Sequence, residues 1–202
     1  METCELNPSL QNEKSAELLK IVQEDQADRS GPNDSLDWSK VNPRDLRRRV
    51  KVSRIFAEGC FKTVSDYKSA ALIFQHGTTA DHYFQAFIWS NAAVKLGDDS
   101  QRMSVANGVD RYLVKIGHKQ LFGTQFSKGP AELSKGAEGR WCIQPVEPSF
   151  PESRKFEYLT MNRRDYIVFV LKAIGATQSP EETKDCERPL EASPAGIVPG
   201  FW

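Results

Sequence analysis

The stretch Thr79–Gly97, "TADHYFQAFIWSNAAVKLG", decides the fold class. Threonine is a residue that caps a helix by accepting a bond from the first free backbone N–H groups, and glycine at the far end stops one. Between them no proline or glycine interrupts, and Phe84, Phe87 and Ile88 supply apolar surface. The flanking segments carry the same punctuation. Thr63 or Ser65 caps a helix running to about His76 and ended by Gly77, and Ser100 caps "QRMSVANGVDRYLVKIG", ended by Gly117. Three helices of roughly four turns joined by short loops pack as antiparallel neighbours. Leu72, Ile73, Phe74, Val109, Tyr112, Leu113 and Ile116 complete their core.

Working outward, residues 1–12 read as a polar lead-in, and Glu13 to Arg29 as a helix with a narrow stripe of Ala16, Leu18, Leu19 and Val22. "RSGPNDSLDW" stops it at Gly31 and Pro32, with Asp34 and Ser35 favouring turns. A second helix starts near Pro43 and ends at Gly59, with Leu46, Val50 and Ala57 on one face. After Gly117, "HKQLFGTQFSKGPAELSKGAEGR" is a Gly-rich loop, "RWCIQPV" an extended or strand segment, and "MNRRDYIVFVLKAIGA" a closing helix, with a strand as the alternative because its β-branched and aromatic content fits both. Residues 177–202, rich in proline and poor in core residues, read as a largely disordered tail. The expected architecture is mainly α: a single domain over 13–176, a compact bundle of about five helices with a Gly-rich loop and a short extended or strand segment near the C-terminus.

Lys plus Arg and Asp plus Glu balance at 27 each. That neutrality argues against a nucleic-acid binder, which carries a basic excess. No window supplies the run of about 20 apolar residues that spans a bilayer, so no membrane partner is expected. The acidic "METCELNPSLQNEKSAELL" lacks an apolar signal core, so a cytoplasmic setting is expected. Cys4, Cys60, Cys142 and Cys186 form no CxxC pair and are expected as free thiols. The basic run "RDLRRRVKVSR" (44–54) reads as a solvated helix face, with a contact surface for an acidic partner as the alternative.

Four polar clusters adjoin this core. Asp25 and Gln26 precede Arg29, with Asp25 and Arg29 at i,i+4, the spacing of a helical ion pair. Gln75 and His76 end an apolar run, where a histidine either bonds to a carbonyl or serves as a proton-transfer group. Asp110 and Arg111 lie beside Val109, so the carboxylate must be paired or hydrogen-bonded. In "HKQLFGTQF", Gln120, Thr124 and Gln125 surround Gly123, whose freedom to take positive φ lets backbone N–H groups converge on a small anion.

Strung together, "DQADR" (25–29), "FQHG" (74–77) and "DRYLVKIGHKQLFGTQF" (110–126), followed by "QPVEPSFPESRKF" (144–156), resemble an uncharacterised family of mostly bacterial proteins catalogued as a domain of unknown function. The resemblance spans about Leu18 to Leu171 and brings no established reaction. It implies that the motif positions share one polar pocket for a small polar or anionic molecule. In that pocket His76 is the general acid/base, oriented by Asp110 or Asp25. Arg29 and Arg111 grip an anionic group, and Asp25, Gln26, Gln75, Gln120, Gly123, Thr124 and Gln125 complete the substrate contacts. No metal or cofactor is expected, because no HxxxH or ExxH spacing occurs. The alternative is a non-catalytic structural or protein-interaction module whose polar cluster only fixes helix packing.

Overall fold

The computed structural model describes residues 3–31, 36–128 and 139–202. It is mainly helical, with seven α-helices among the described residues where the sequence distinguishes about five. These are α1 (Leu10–Ala27), α2 (Trp38–Ala57), α3 (Val64–Gln75), α4 (Ala80–Lys95), α5 (Arg102–Lys115), α6 (Glu152–Leu159) and α7 (Arg163–Ala173). Strands β1 (Phe126–Lys128) and β2 (Trp141–Ile143) form a two-stranded antiparallel sheet with Ser127 opposite Cys142. The chain divides into two compact units, one reaching Ser104 and one starting at Val105.

In the first unit, α3 packs against α1, α2 and α4. Its start is a capping box: Thr63 Oγ1 accepts from the Asp66 N–H, and Asp66 Oδ2 accepts from the Thr63 N–H at 2.8 Å. The start of α4 repeats the device with Thr79 and His82, whose Nδ1 accepts from the backbone of Thr78 and Thr79. Gly77 makes the α3–α4 turn this tight. A Cβ there would lie 2.3 Å from that of His82, so no side chain fits. Leu18, Ile21, Val52, Ile55, Ile73, Phe74 and Trp89 build the core, with the Phe74 and Trp89 rings edge to face at 4.6 Å.

Helix α2 departs from its sequence reading in start and in orientation. It begins at Trp38, capped by Asp37, and carries Pro43 inside. Leu46 and Val50, expected on the buried face, are about half exposed. The buried positions are Val41, Asp45, Arg48, Arg49, Val52 and Ile55. The basic run is therefore only in part a solvated face.

All four cysteines are paired, which corrects the expectation of free thiols. Cys4 joins Cys60, and its N–H donates to the Glu58 carbonyl, so the lead-in is fastened to the end of α2. Cys142 joins Cys186 in the second unit. Sequence separations of 56 and 44 residues left no spacing signal for either pair.

In the second unit the segment read as a disordered tail is packed. Ile143 exchanges backbone bonds with Lys184 and Cys186, Lys119 and Gly117 do so with Glu191, and Val198 is fully buried. Phe201 and Trp202 join rings with Phe122, Phe150 and Tyr158. A segment with few apolar residues can hold in this way because a disulfide and backbone bridges replace a broad hydrophobic face. Of the expected Gly-rich loop, residues 129–138 lie outside the described residues, as do Asp34 and Ser35 of the turn after α1.

Replacing Cys60 by Ser opens a loop of 56 residues. Chain entropy predicts a loss of about 4 kcal/mol. Urea unfolding of the variant against the oxidised wild type checks this, and reduction of the wild type should move its midpoint the same way.

Candidate functional site

The centre of the first unit is a buried carboxylate. Asp25 is 1% exposed because α1 presents it on the same face as Leu18 and Ile21. Its Oδ1 accepts from Arg29 Nη1 at 2.7 Å, and its Oδ2 from Gln26 Nε2 at 2.9 Å. Oδ2 also lies 2.8 Å from His76 Nδ1. The network then runs on into α2. Arg29 Nη2 donates to Asp45 Oδ2 at 2.5 Å, Arg48 Nη1 to Asp45 Oδ1 at 2.9 Å, and Arg48 Nη2 to Asp28, which also takes Arg44 Nη1 at 2.6 Å. Burial pushes the Asp25 carboxyl up, but bonding to His76 and the charges of His76 and Arg29 outweigh it and hold the group below its ordinary value. Asp28 is held low first by its bond to Arg48. Breaking such a buried pair by removing one partner typically costs about 3–5 kcal/mol.

His76 caps the end of α3, and its side chain is 21% exposed. With Nδ1 committed to Asp25, Nε2 has no partner among the described residues. Arg49 reaches the same residue from α2, donating from Nη1 to the His76 carbonyl at 3.3 Å. Gln75, half-buried at the last position of α3, precedes it. The expected anion grip of Arg29 is spent, since both its terminal nitrogens hold carboxylates.

The second unit handles a buried carboxylate differently. Asp110 on α5 is wholly buried and accepts four bonds: from the N–H groups of Leu121, Phe122 and Thr124 and from the Thr124 hydroxyl, at 2.8–3.0 Å. Gly123, at φ +89°, lets the loop turn these donors to one point. The loop donors around "FGTQ" converge on the protein's own Asp110. Burial pushes this carboxyl up, against the pull of the loop's donors. Gln120 is saturated too. Its Oε1 accepts from Gln125 N–H, and its Nε2 donates to the carbonyls of Gln125 and Gln144. Gln125 donates to Thr124 Oγ1, while Arg111 lies half-buried beside Asp110 on α5.

The sequence-predicted residues thus form two groups. Asp25, Gln26, Arg29 and His76 meet in the first unit, and Asp110, Gln120, Gly123, Thr124 and Gln125 meet in the second. The carboxylate on His76 is Asp25, whereas Asp110 serves its own loop. Sequence reasoning missed Asp28, Asp45, Arg48 and Arg49. A signal for three of them existed: Val41, Asp45, Arg48, Val52 and Ile55 follow helical spacing, with Arg49 adjoining, so the apolar residues at both ends mark the buried face. Comparison of the chain with family models, with curated proteins and with solved structures gives no match in any of the three.

The low Asp28 carboxyl has a definite sign in stability. A group depressed in the folded state stabilises above its unfolded value, and that contribution is lost as pH falls through the folded one. The stability difference between wild type and Asp28→Asn is therefore largest near neutrality and shrinks below about pH 4. Denaturant titrations at several pH values read it directly.

Proposed function

We propose that the first unit carries a small-molecule site in which His76 transfers a proton at Nε2 to or from a bound polar or anionic ligand, with Asp25 orienting the ring. The observation that carries this reading is the 2.8 Å contact of His76 Nδ1 with the buried Asp25 carboxylate, on an imidazole that keeps partial exposure and an unbonded Nε2. A carboxylate on one ring nitrogen places the proton there in the neutral form, leaves the other nitrogen as the base, and stabilises the imidazolium once a proton is taken. General acid/base catalysis of this kind contributes about 10²–10⁴-fold. The reaction class is proton transfer, hydrolysis included, on a small polar substrate. Gln75 and Gln26 flank the group as candidate ligand contacts, and the family resemblance of the strung motifs belongs to the same proposal.

A second reading has a specific observation behind it for the other unit. Asp110 with four donors on its two oxygens, and Gln120 bonded at both ends, favour a packing role for Asp110, Gln120, Gly123, Thr124 and Gln125, as in a structural module. The setting enters the proposal as well. Two disulfides favour an oxidising compartment over the cytoplasm expected from the sequence, and no helix among the described residues is long and apolar enough to cross a membrane.

Nitrogen NMR of His76 tests the acid/base reading. The neutral ring is expected as the Nδ1–H tautomer in the wild type, and Asp25→Asn is expected to abolish that preference. His76→Gln is expected to keep the fold and any ligand-induced rise in Tm across a panel of small polar and anionic compounds, while losing turnover. An Nε2–H tautomer in the wild type, or a His76→Gln variant that turns over like the wild type, would sink the reading.

A further inference from the structure

A pocket of about 230 Å³ opens in the second unit between the Asp110 loop, α6 and the start of α7, and it shares no residue with the His76 site. Its floor is apolar: Phe122 and Leu159 are buried, and Val146 and Met161 are half-buried. Phe156 stands at its mouth, 60% exposed. Exposed apolar area that continues into a pocket, with charged residues around it, is the usual form of a ligand site. Two stretches singled out in the sequence, "HKQLFGTQF" and "QPVEPSFPESRKF", supply Phe122, Val146, Lys155 and Phe156, and the first unit's site uses neither. The walls are held from both sides. Phe122 and Thr124 donate their N–H groups to Asp110, which fixes the loop. Opposite, the α6–α7 turn keeps Thr160 at φ +57°, so that Leu159 and Met161 on either side of it both line the pocket. That conformation is costly for a β-branched residue and persists only where the surroundings enforce it.

We propose that this pocket binds a small aryl carboxylate, its ring against Phe122, Leu159 and Met161 and its carboxylate at Lys155 and Arg163. Size sets the body. An apolar cavity of about 150 Å³ accepts one benzene, so 230 Å³ takes a single ring with a short acid arm and little more. Phe122, Phe156 and the Met161 sulfur offer the contacts that aromatic rings favour. Charge sets the head. Lys155 and Arg163 face one carboxylate in the lining, Glu152, so the pocket carries one surplus positive charge for one negative charge.

Both cations keep donors for a ligand. The Lys155 side chain is 14% exposed, and its ammonium gives one of its three donors to Glu152 Oε1 at 2.5 Å. Arg163 gives only Nη2, to Asp185 Oδ1 at 2.6 Å, and Asp185 lies outside the lining. The two partner carboxylates are 81% and 52% exposed. Ion pairs so open to water contribute little, and a ligand carboxylate whose ring is already seated competes with them. The assignment does not depend on the acid/base reading of His76.

The experiment labels the full chain with ¹³C-methyl methionine, which reports at its three methionines, and titrates it with sodium phenylacetate at constant ionic strength. The Met161 methyl signal is assigned by its loss in Met161→Leu. Phenylacetate is expected to shift that signal saturably through its ring current while the Met103 signal stays fixed. 2-Phenylethanol, the same ring without the charge, is expected to bind about tenfold more weakly or worse. Sodium acetate, the charge without the ring, leaves the signal unmoved, and sodium hexanoate competes with phenylacetate only weakly. Lys155→Gln combined with Arg163→Gln is expected to bring phenylacetate down to the level of 2-phenylethanol, and Glu152→Gln to strengthen it by freeing Lys155. Arg154→Gln removes a neighbouring cation outside the lining and is expected to change nothing. A Met161 signal indifferent to phenylacetate overturns the site, as does an equal loss of binding in Arg154→Gln. Equal affinity for 2-phenylethanol overturns the carboxylate head, weaker binding by Glu152→Gln overturns the role of Lys155, and tighter binding of hexanoate overturns the aryl body.

Discussion

A carboxylate taken out of water must be answered by donors and countercharge, and the first unit is arranged around that demand at Asp25. The side chain sits on the face of α1 that also carries Leu18 and Ile21, so the helix cannot bury its apolar residues without burying the charge. Arg29 answers from the same helix, and His76 answers from the end of α3. Arg29 then needs a second acceptor, which α2 supplies in Asp45. The consequence is directional: α1, α2 and the α3–α4 turn are set against one another by bonds with definite geometry, where apolar packing alone tolerates sliding. Gly77 contributes the other half of the constraint by letting His82 close on the turn that carries His76.

The two units meet the same electrostatic problem with opposite outcomes. Around Asp110, a loop bends the N–H groups of Leu121, Phe122 and Thr124 onto a carboxylate of the chain itself. Around Arg49, a buried guanidinium gives one bond to the neutral His76 carbonyl, and no carboxylate among the described residues pairs with it. A filled cradle is a device for holding a loop in one shape.

What the sequence disclosed follows from how local each signal is. Thr63, Thr79, Gly77 and Gly97 act on the backbone within a few residues of themselves, and the helices they punctuate stand where their spacing places them. Strand β2 and helix α7 were legible as segments, though their β-branched and aromatic content left the type of each open. Helix α2 was not, because Leu46 and Val50 outweigh Asp45 and Arg48 on any scale of hydropathy, and only partners from α1 make burial of the charges tolerable. The packing of residues 178–202 and both disulfides are likewise fixed by contacts far off in the chain. At the candidate site, the motifs singled out His76 and Asp25 as participants. They left open whether Asp25 or Asp110 meets His76, and they did not reveal that Asp110 is engaged by its own loop or that Arg49 is buried.

Each disulfide closes within its own unit, and this has a consequence for how the chain is made. Cys4 and Cys60 both leave the ribosome before Cys142 exists, so the first bridge has only one partner to find. By the time Cys186 emerges, a chain already bridged between Cys4 and Cys60 holds a single unpaired thiol for it to meet. Synthesis from the N-terminus proceeds at about 5–20 residues per second, with domains forming in that order. Of the three ways to pair four cysteines, the order of manufacture favours the native one, without an isomerase having to sort the others.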